Sequence, residues 1–242
     1  MGKQDEIFSG GNLSGLPFSF NKEVTEVFED MIDRSVPGYK TSMKLIELYA
    51  HEHIQENTFC YDLGCSLGAA TQSLLVSSQN KKVNIVSIDN SLEMIKNCKE
   101  RFSKEISNGL VEFRVQDVTL TKLTNASVVV LNFVLQFLDL GKRDSLIKNI
   151  YKNLKPGGVL IISEKIHFKS ESKTSNVSSI YHQFKSNNGY SDLEISSKQE
   201  ALKGVLMTET EKVHVERMKK AGFKDYRKLM FNLNFLTYLF IK

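Results

Sequence analysis

The chain has 242 residues, 41% hydrophobic and 25% charged, an ordinary globular balance with room for one large α/β domain or two small ones. Its net charge of +4 is spread along the chain, which gives no clustered basic face for nucleic acid. No apolar run approaches the ~20 residues of a membrane span and the first residues lack a signal-peptide core, so a cytoplasmic protein without membrane contact is expected.

Residues 1–20 are Gly/Ser-rich and weakly patterned, and read as a flexible arm before a single domain over 21–242. Val24, Val27, Phe28, Met31 and Ile32 then recur at helical spacing behind Asn21, a good N-cap, and Pro37-Gly38 ends that helix. A second helix is predicted from Met43 to about His53. Tyr39 lies on the corner between them, either as a half-buried aromatic or as a lid over the loop that follows.

That loop is Thr58-Phe-Cys-Tyr-Asp-Leu-Gly-Cys-Ser-Leu-Gly-Ala-Ala-Thr71. An apolar run reaches Asp62, Gly64 and Gly68 supply a tight turn, and small residues open a helix at Ala69. This geometry brings backbone close to a nucleotide. Ser66 stands where dinucleotide-binding loops carry their middle glycine, so a pyrophosphate fits poorly. Cys60 and Cys65 flank the loop. With Cys98 they make three cysteines and no C-x-x-C pair, so small buried residues are expected, with no disulfide framework and no metal.

The chain then alternates. Strands are predicted at Val83–Ile88, Val111–Val115, Ser127–Leu131 and Val159–Ile162, with a helix capped by Ser91 and another carrying Leu146, Ile147, Ile150 and Leu154. Repeated βα units predict a doubly wound, mostly parallel sheet. A polar stretch, 167–207, interrupts the alternation with two helices' worth of sequence. A helix from Thr208 to about Ala221, capped by Gly222, and a hairpin of Asp225–Phe231 with Phe235–Ile241 close the chain, leaving one strand antiparallel.

Four strands deliver a polar residue at the carboxyl end: Asp62 with its loop, Asp89, Asp117 and Asn132. Ligands of open α/β sheets bind there. An acid at the tip of the second strand can accept from a ribose diol. One after the third can accept from an adenine amino group, with Val118 packed on the ring.

This order resembles the class I S-adenosylmethionine-dependent methyltransferases. The blocks Arg34-Ser-Val-Pro-Gly-Tyr39, Tyr61-Asp-Leu-Gly-Cys-Ser-Leu-Gly-Ala-Ala-Thr71, Ile88-Asp-Asn-Ser91, Leu131-Asn-Phe133, Leu135-Gln-Phe-Leu138, Ser163-Glu-Lys165 and Asn188-Gly-Tyr-Ser191 are more narrowly similar to the carboxy-S-adenosyl-L-methionine synthases. The resemblance implies a homodimer that uses prephenate to carboxylate the methyl carbon of S-adenosylmethionine, releasing phenylpyruvate. It implies no direct nucleic-acid contact, although the product serves a second enzyme that modifies the tRNA wobble uridine. By motif it assigns the S-adenosylmethionine or carboxy-S-adenosylmethionine site to Tyr39, Gly64, Cys65, Ser66, Asp89, Asn90, Asp117, Val118 and Asn132. It also implies an arginine meeting the new carboxylate, where this chain has Gln199. Tyr39, Lys165 and Tyr190 are candidate proton acceptors, and the 167–207 stretch is the expected dimer and substrate segment. A methyltransferase of a small acceptor and a non-catalytic cofactor-binding partner are the alternatives.

Overall fold

β-Branched and aromatic residues crowd the predicted strands on both faces, as a sheet covered on two sides requires. In the computed structural model, which describes residues 3–9 and 17–242, the strands are β1 (Thr58–Leu63), β2 (Val83–Asp89), β3 (Val111–Val115), β4 (Ala126–Asn132), β5 (Leu154–Lys165), β6 (Asp225–Asn232) and β7 (Phe235–Ile241). They lie in the order β3-β2-β1-β4-β5-β7-β6. Every pair is parallel except those of β7, which runs antiparallel to β5 and β6. The predicted mixed sheet with one reversed strand is the observed one. Winding reverses between β1 and β4, which opens a crevice at their carboxyl ends.

Helices α1 (Lys22–Ser35), α2 (Tyr39–His53), α3 (Ala69–Ser77), α4 (Leu92–Arg101) and the short α5 (Ser103–Ser107) precede β4. Four more follow it: α6 (Leu140–Asn153), α7 (Glu171–Asn187), α8 (Asp192–Ala201) and α9 (Glu211–Ala221). Strand residues alternate between two cores. Tyr61, Val129, Leu131, Leu160 and Ile162 pack with Leu146, Ile147 and Ile150 of α6 and Met218 of α9. Cys60, Val128, Val130 and Ile161 pack with Ile46 and Ala50 of α2, Leu74 of α3 and Ile95 of α4. Asn21 and Ser91 cap α1 and α4 as predicted, accepting from Val24 N at 3.0 Å and Met94 N at 3.4 Å. Among the described residues, no helix is long and apolar enough to cross a membrane.

Two expectations are corrected. Helix α2 begins at Tyr39, not Met43, because Gly38 takes the left-handed conformation (φ +84°) as its N-cap and nothing after it delays the helix. Tyr39 is thus held in a helical first turn. Residues 3–9, read as part of a flexible arm, are anchored at Asp5 and Phe8. Asp5 is 1% exposed and Phe8 4%. The Tyr190 hydroxyl donates to the Asp5 carboxylate, Arg34 Nη1 donates to the Asp5 carbonyl at 3.1 Å, and Lys198 Nζ lies 3.5 Å from Asp5 Oδ2. These long-range polar contacts, with Phe8 and Ile7 packed inward, hold the segment, and hydrophobic periodicity does not report it. Residues 1–2 and 10–16 of the expected arm lie outside the described residues.

Candidate functional site

The turn after β1 is shaped by contact. A Cβ at Gly64 (φ +82°) would lie 2.5 Å from Val134 Cγ2, and one at Gly68 (φ +80°) 2.6 Å from Phe102 Cε2. Both positions therefore need glycine for conformation and for space. Between them Ser66 adopts φ +50°, a strained value for a side-chain-bearing residue. Its N–H donates to Asp89 Oδ2 at 2.9 Å, while Asp89 Oδ1 accepts from Ser91 N at 2.9 Å. Burial pushes the Asp89 carboxyl up, and these backbone donors oppose the shift. Each oxygen keeps a further lone pair for a hydroxyl.

Five predicted residues, Gly64, Asp89, Asn90, Asp117 and Val118, line one cleft of about 340 Å³. Burial acts against ionisation of Asp117, yet hydrogen bonds from the Thr119 side chain and backbone hold it below the usual carboxylate range. Phe18, Phe20 and Phe137 also wall this cleft. The Phe20 ring meets Phe137 edge-on at 5.2 Å, and its carbonyl accepts from Ser91 Oγ at 2.8 Å. No sequence signal pointed to Phe18 and Phe20, because their neighbours carry no periodic pattern.

Across the loop, Tyr39, Cys65 and Ser66 line a second cavity of about 310 Å³. Tyr39 stacks on Phe133 with ring centroids 6.4 Å apart. Phe133 is itself at φ +61°, strain of the kind found at ligand sites. Just before it, Asn132 lines none of these cavities, but its Oδ1 is buried without a hydrogen bond, as is Oδ1 of Asp62. Burial pushes Asp62 up to about 7, with Thr71 Oγ1 donating to its other oxygen at 2.7 Å. Two buried oxygens at adjacent strand ends thus lack a hydrogen-bond partner.

Gln199 stands apart. It lines a third cavity, about 330 Å³, with Lys165, Tyr181 and Thr208. The segment after β4 is tied to β5 from below. Glu164 accepts from Leu135 N at 2.8 Å and Gln136 N at 3.0 Å, and Gln136 Oε1 accepts from Lys165 N at 3.0 Å. Burial pushes Glu164 up to about 8 against those donors.

Of the candidate proton acceptors, Tyr190 is committed elsewhere, with its hydroxyl on Asp5 and the Arg34 guanidinium 3.8 Å from its ring centroid. Burial drives the Tyr39 hydroxyl far above its usual range, so it keeps its proton. Lys165, pushed down to about 8 by burial, stays mostly protonated at neutral pH. The three cysteines are buried as expected. Burial raises Cys65, and carries Cys60 to about 12, so neither is a reactive thiolate. Among the described residues, no group of three or more His, Cys, Asp or Glu could hold a metal ion.

Residues 61–160 match the methyltransferase-domain family. Among solved structures, the fold is similar to an O-methyltransferase family protein from Burkholderia thailandensis, at TM-score 0.66 and 13% identity over 92% of this chain and 60% of that one. It is also similar to human N-acetylserotonin methyltransferase in complex with SAM, at TM-score 0.58 and 18% identity over 91% of this chain and 55% of that one. Much nearer in sequence is the carboxy-S-adenosyl-L-methionine synthase of Shewanella sediminis, 42% identical over 239 residues, which are 99% of this chain and 98% of that protein. Those of Idiomarina loihiensis, 40% identical over 243 residues and 100% of both chains, and Hahella chejuensis, 38% over 244 residues, 99% of this chain and 98% of that protein, are similar end to end. Identity at that level over the full length of both partners is a family relation, and the chain belongs to the carboxy-S-adenosyl-L-methionine synthase family.

Proposed function

We infer that the chain is a transferase that carboxylates the methyl group of S-adenosylmethionine, with prephenate as the carboxyl donor. The observation that carries the ligand reading is the pair of buried, unpartnered oxygens, Asp62 Oδ1 and Asn132 Oδ1, at the ends of β1 and β4. An α-ammonium offers the donors they lack. The cleft fits the remainder of the molecule. Asp89 has lone pairs for the ribose hydroxyls, Val118 gives an adenine an apolar face, and Phe18 and Phe20 cover it.

When bound, S-adenosylmethionine supplies a sulfonium whose charge acidifies the attached methyl. The chain's part is positioning and electrostatics. Tyr39 and Phe133 offer a stacked aromatic wall beside the loop that keeps water away. Glu164, accepting from the N–H groups of residues 135 and 136, and Gln136, whose Oε1 accepts from Lys165 N, hold the segment that follows the Asn132–Phe133 turn in place. The atoms balance if the methyl loses a proton while prephenate loses its ring carboxylate and its hydroxyl, the last leaving with the proton as water. The product, carboxy-S-adenosylmethionine, then serves wobble-uridine modification of tRNA.

Incubating the protein with S-adenosylmethionine and prephenate, followed by mass analysis, is expected to give carboxylated cofactor and phenylpyruvate. Demethylated cofactor with a methylated acceptor would point to an ordinary methyltransferase. Unchanged reagents would leave only a binding role.

A further inference from the structure

Two lysines beside the site have no anionic partner among the described residues. Lys165 ends β5, two residues beyond Ser163, which pairs with Asn132 across the sheet. Lys185 lies in the last turn of α7 and is 4% exposed. Both ammonium groups sit on the same ring, that of Tyr181, at 4.5 and 4.6 Å from its centroid. No carboxylate acts on either. Burial alone pushes Lys165 down to about 8, and burial with repulsion from Lys165 and Lys198 does the same to Lys185. The undescribed residues, 1–2 and 10–16, contain no Asp or Glu that could pair with them.

The neighbouring cations are otherwise occupied. Lys198 lies 3.5 Å from Asp5 and donates to Ser35 Oγ at 3.0 Å, and Lys203 reaches Glu200 at 3.5 Å on the surface. Gln199, which shares the cavity with Lys165, is neutral. Two like charges buried around one ring cost free energy that no carboxylate among the described residues offsets. Cation–π contact with Tyr181 softens this cost without supplying a counter-charge. A line of rings joins the pair to the predicted site. Tyr39 meets Phe133 at 6.4 Å, Phe133 meets Phe235 at 6.0 Å, and Phe235 meets Tyr181 at 5.4 Å.

We propose that Lys165 and Lys185 form an anion-binding end of the site that receives a carboxylate, either of the acidic donor or of the carboxylated product. The assignment rests on the reading of the site as one that carboxylates S-adenosylmethionine. It also supplies discrimination. Plain S-adenosylmethionine brings net positive charge, which two free ammonium groups disfavour, whereas a carboxylate gives them a partner.

The test is calorimetric titration of wild type, Lys165→Met, Lys185→Met and Lys165→Arg with S-adenosylmethionine and with carboxy-S-adenosylmethionine, alongside KM for prephenate. The methionine variants should lose about tenfold or more of one carboxylate-dependent quantity, the scale of a charged hydrogen bond. They should bind plain S-adenosylmethionine as well as wild type or better, which also shows that they are folded. Lys165→Arg should keep the wild-type preference. Weakened carboxy-S-adenosylmethionine places the anion on the product, and a raised prephenate KM places it on the donor. Either result supports the assignment. If both methionine variants keep the wild-type preference and KM, or lose both cofactors equally, the assignment is overturned. A wild type that binds both cofactors yet never carboxylates overturns the functional reading instead, and the titrations still decide the lysines.

Discussion

Asp89 accepts a backbone N–H on each oxygen, from Ser66 and from Ser91, so its loss should be felt by the loop as well as by the ribose proposed to bind there. Asp89→Ala is expected to weaken S-adenosylmethionine binding by one to two decades and to destabilise the fold, each on the order of 1.5–3 kcal/mol for bonds to a charged acceptor. Asp89→Asn keeps one acceptor oxygen and should fall between. Cys65→Ala should change the affinity little, since its thiol is buried and held neutral. Titration with S-adenosylmethionine and a thermal melt on each variant separate the two effects. An Asp89→Ala protein with wild-type affinity would mean that the ribose is held elsewhere.

The elements of the 167–207 stretch do two things. Helix α8 buries Ile195, which is 1% exposed, and the segment after it lends Val205 to the cleft, so part of its apolar surface serves its own subunit. Ile180 of α7 and Leu193 of α8 remain outward, 56% and 60% exposed. They are the residues left to support the dimer that the family resemblance implies. Light scattering at micromolar protein is expected to give the mass of a dimer, and Ile180→Glu that of a monomer. A monomeric wild type would remove that role. The strands and the Gly64–Gly68 turn were legible in the sequence because burial on two faces and glycine turns leave strong local patterns. Residues 3–9 and the Phe18–Phe20 wall were not, because long-range ionic and aromatic contacts leave none. The start of α2 at Tyr39 was missed because a left-handed glycine cap looks like a plain break.

For the whole molecule, the buried carboxyls set the response to pH. Asp62 and Glu164 are raised by burial to about 7 and about 8, well above the ~4 of an unfolded carboxyl. Their contribution to stability is complete below pH ~4 and is lost as pH rises through those folded values. His214, pushed down to about 4 by burial, acts oppositely between there and ~6.5, offsetting one of the two carboxyls. Glu209, which burial would raise, is drawn below its usual range by Arg217 and Arg143, so it adds an acid limb below pH ~4.5. The ligand-free protein should therefore melt at lower temperature at pH 8 than at pH 5.5. Asp62→Asn should flatten the slope. A melting temperature that rises steadily across that interval would show that Asp62 and Glu164 are ionised in the fold.

The buried Asp5 carries a consequence in time. Its partners are Arg34, Tyr190 and Lys198, and Tyr190 lies 185 positions away, so Asp5 cannot reach its place until residues 190 and 198 have reached theirs. Closing so long a loop is costly, and contacts of such separation form late. Until then Lys198 waits without its carboxylate, and residues 3–9 stay open to proteases. Docking of residues 3–9 is thus a late event in folding, the point at which that exposure ends.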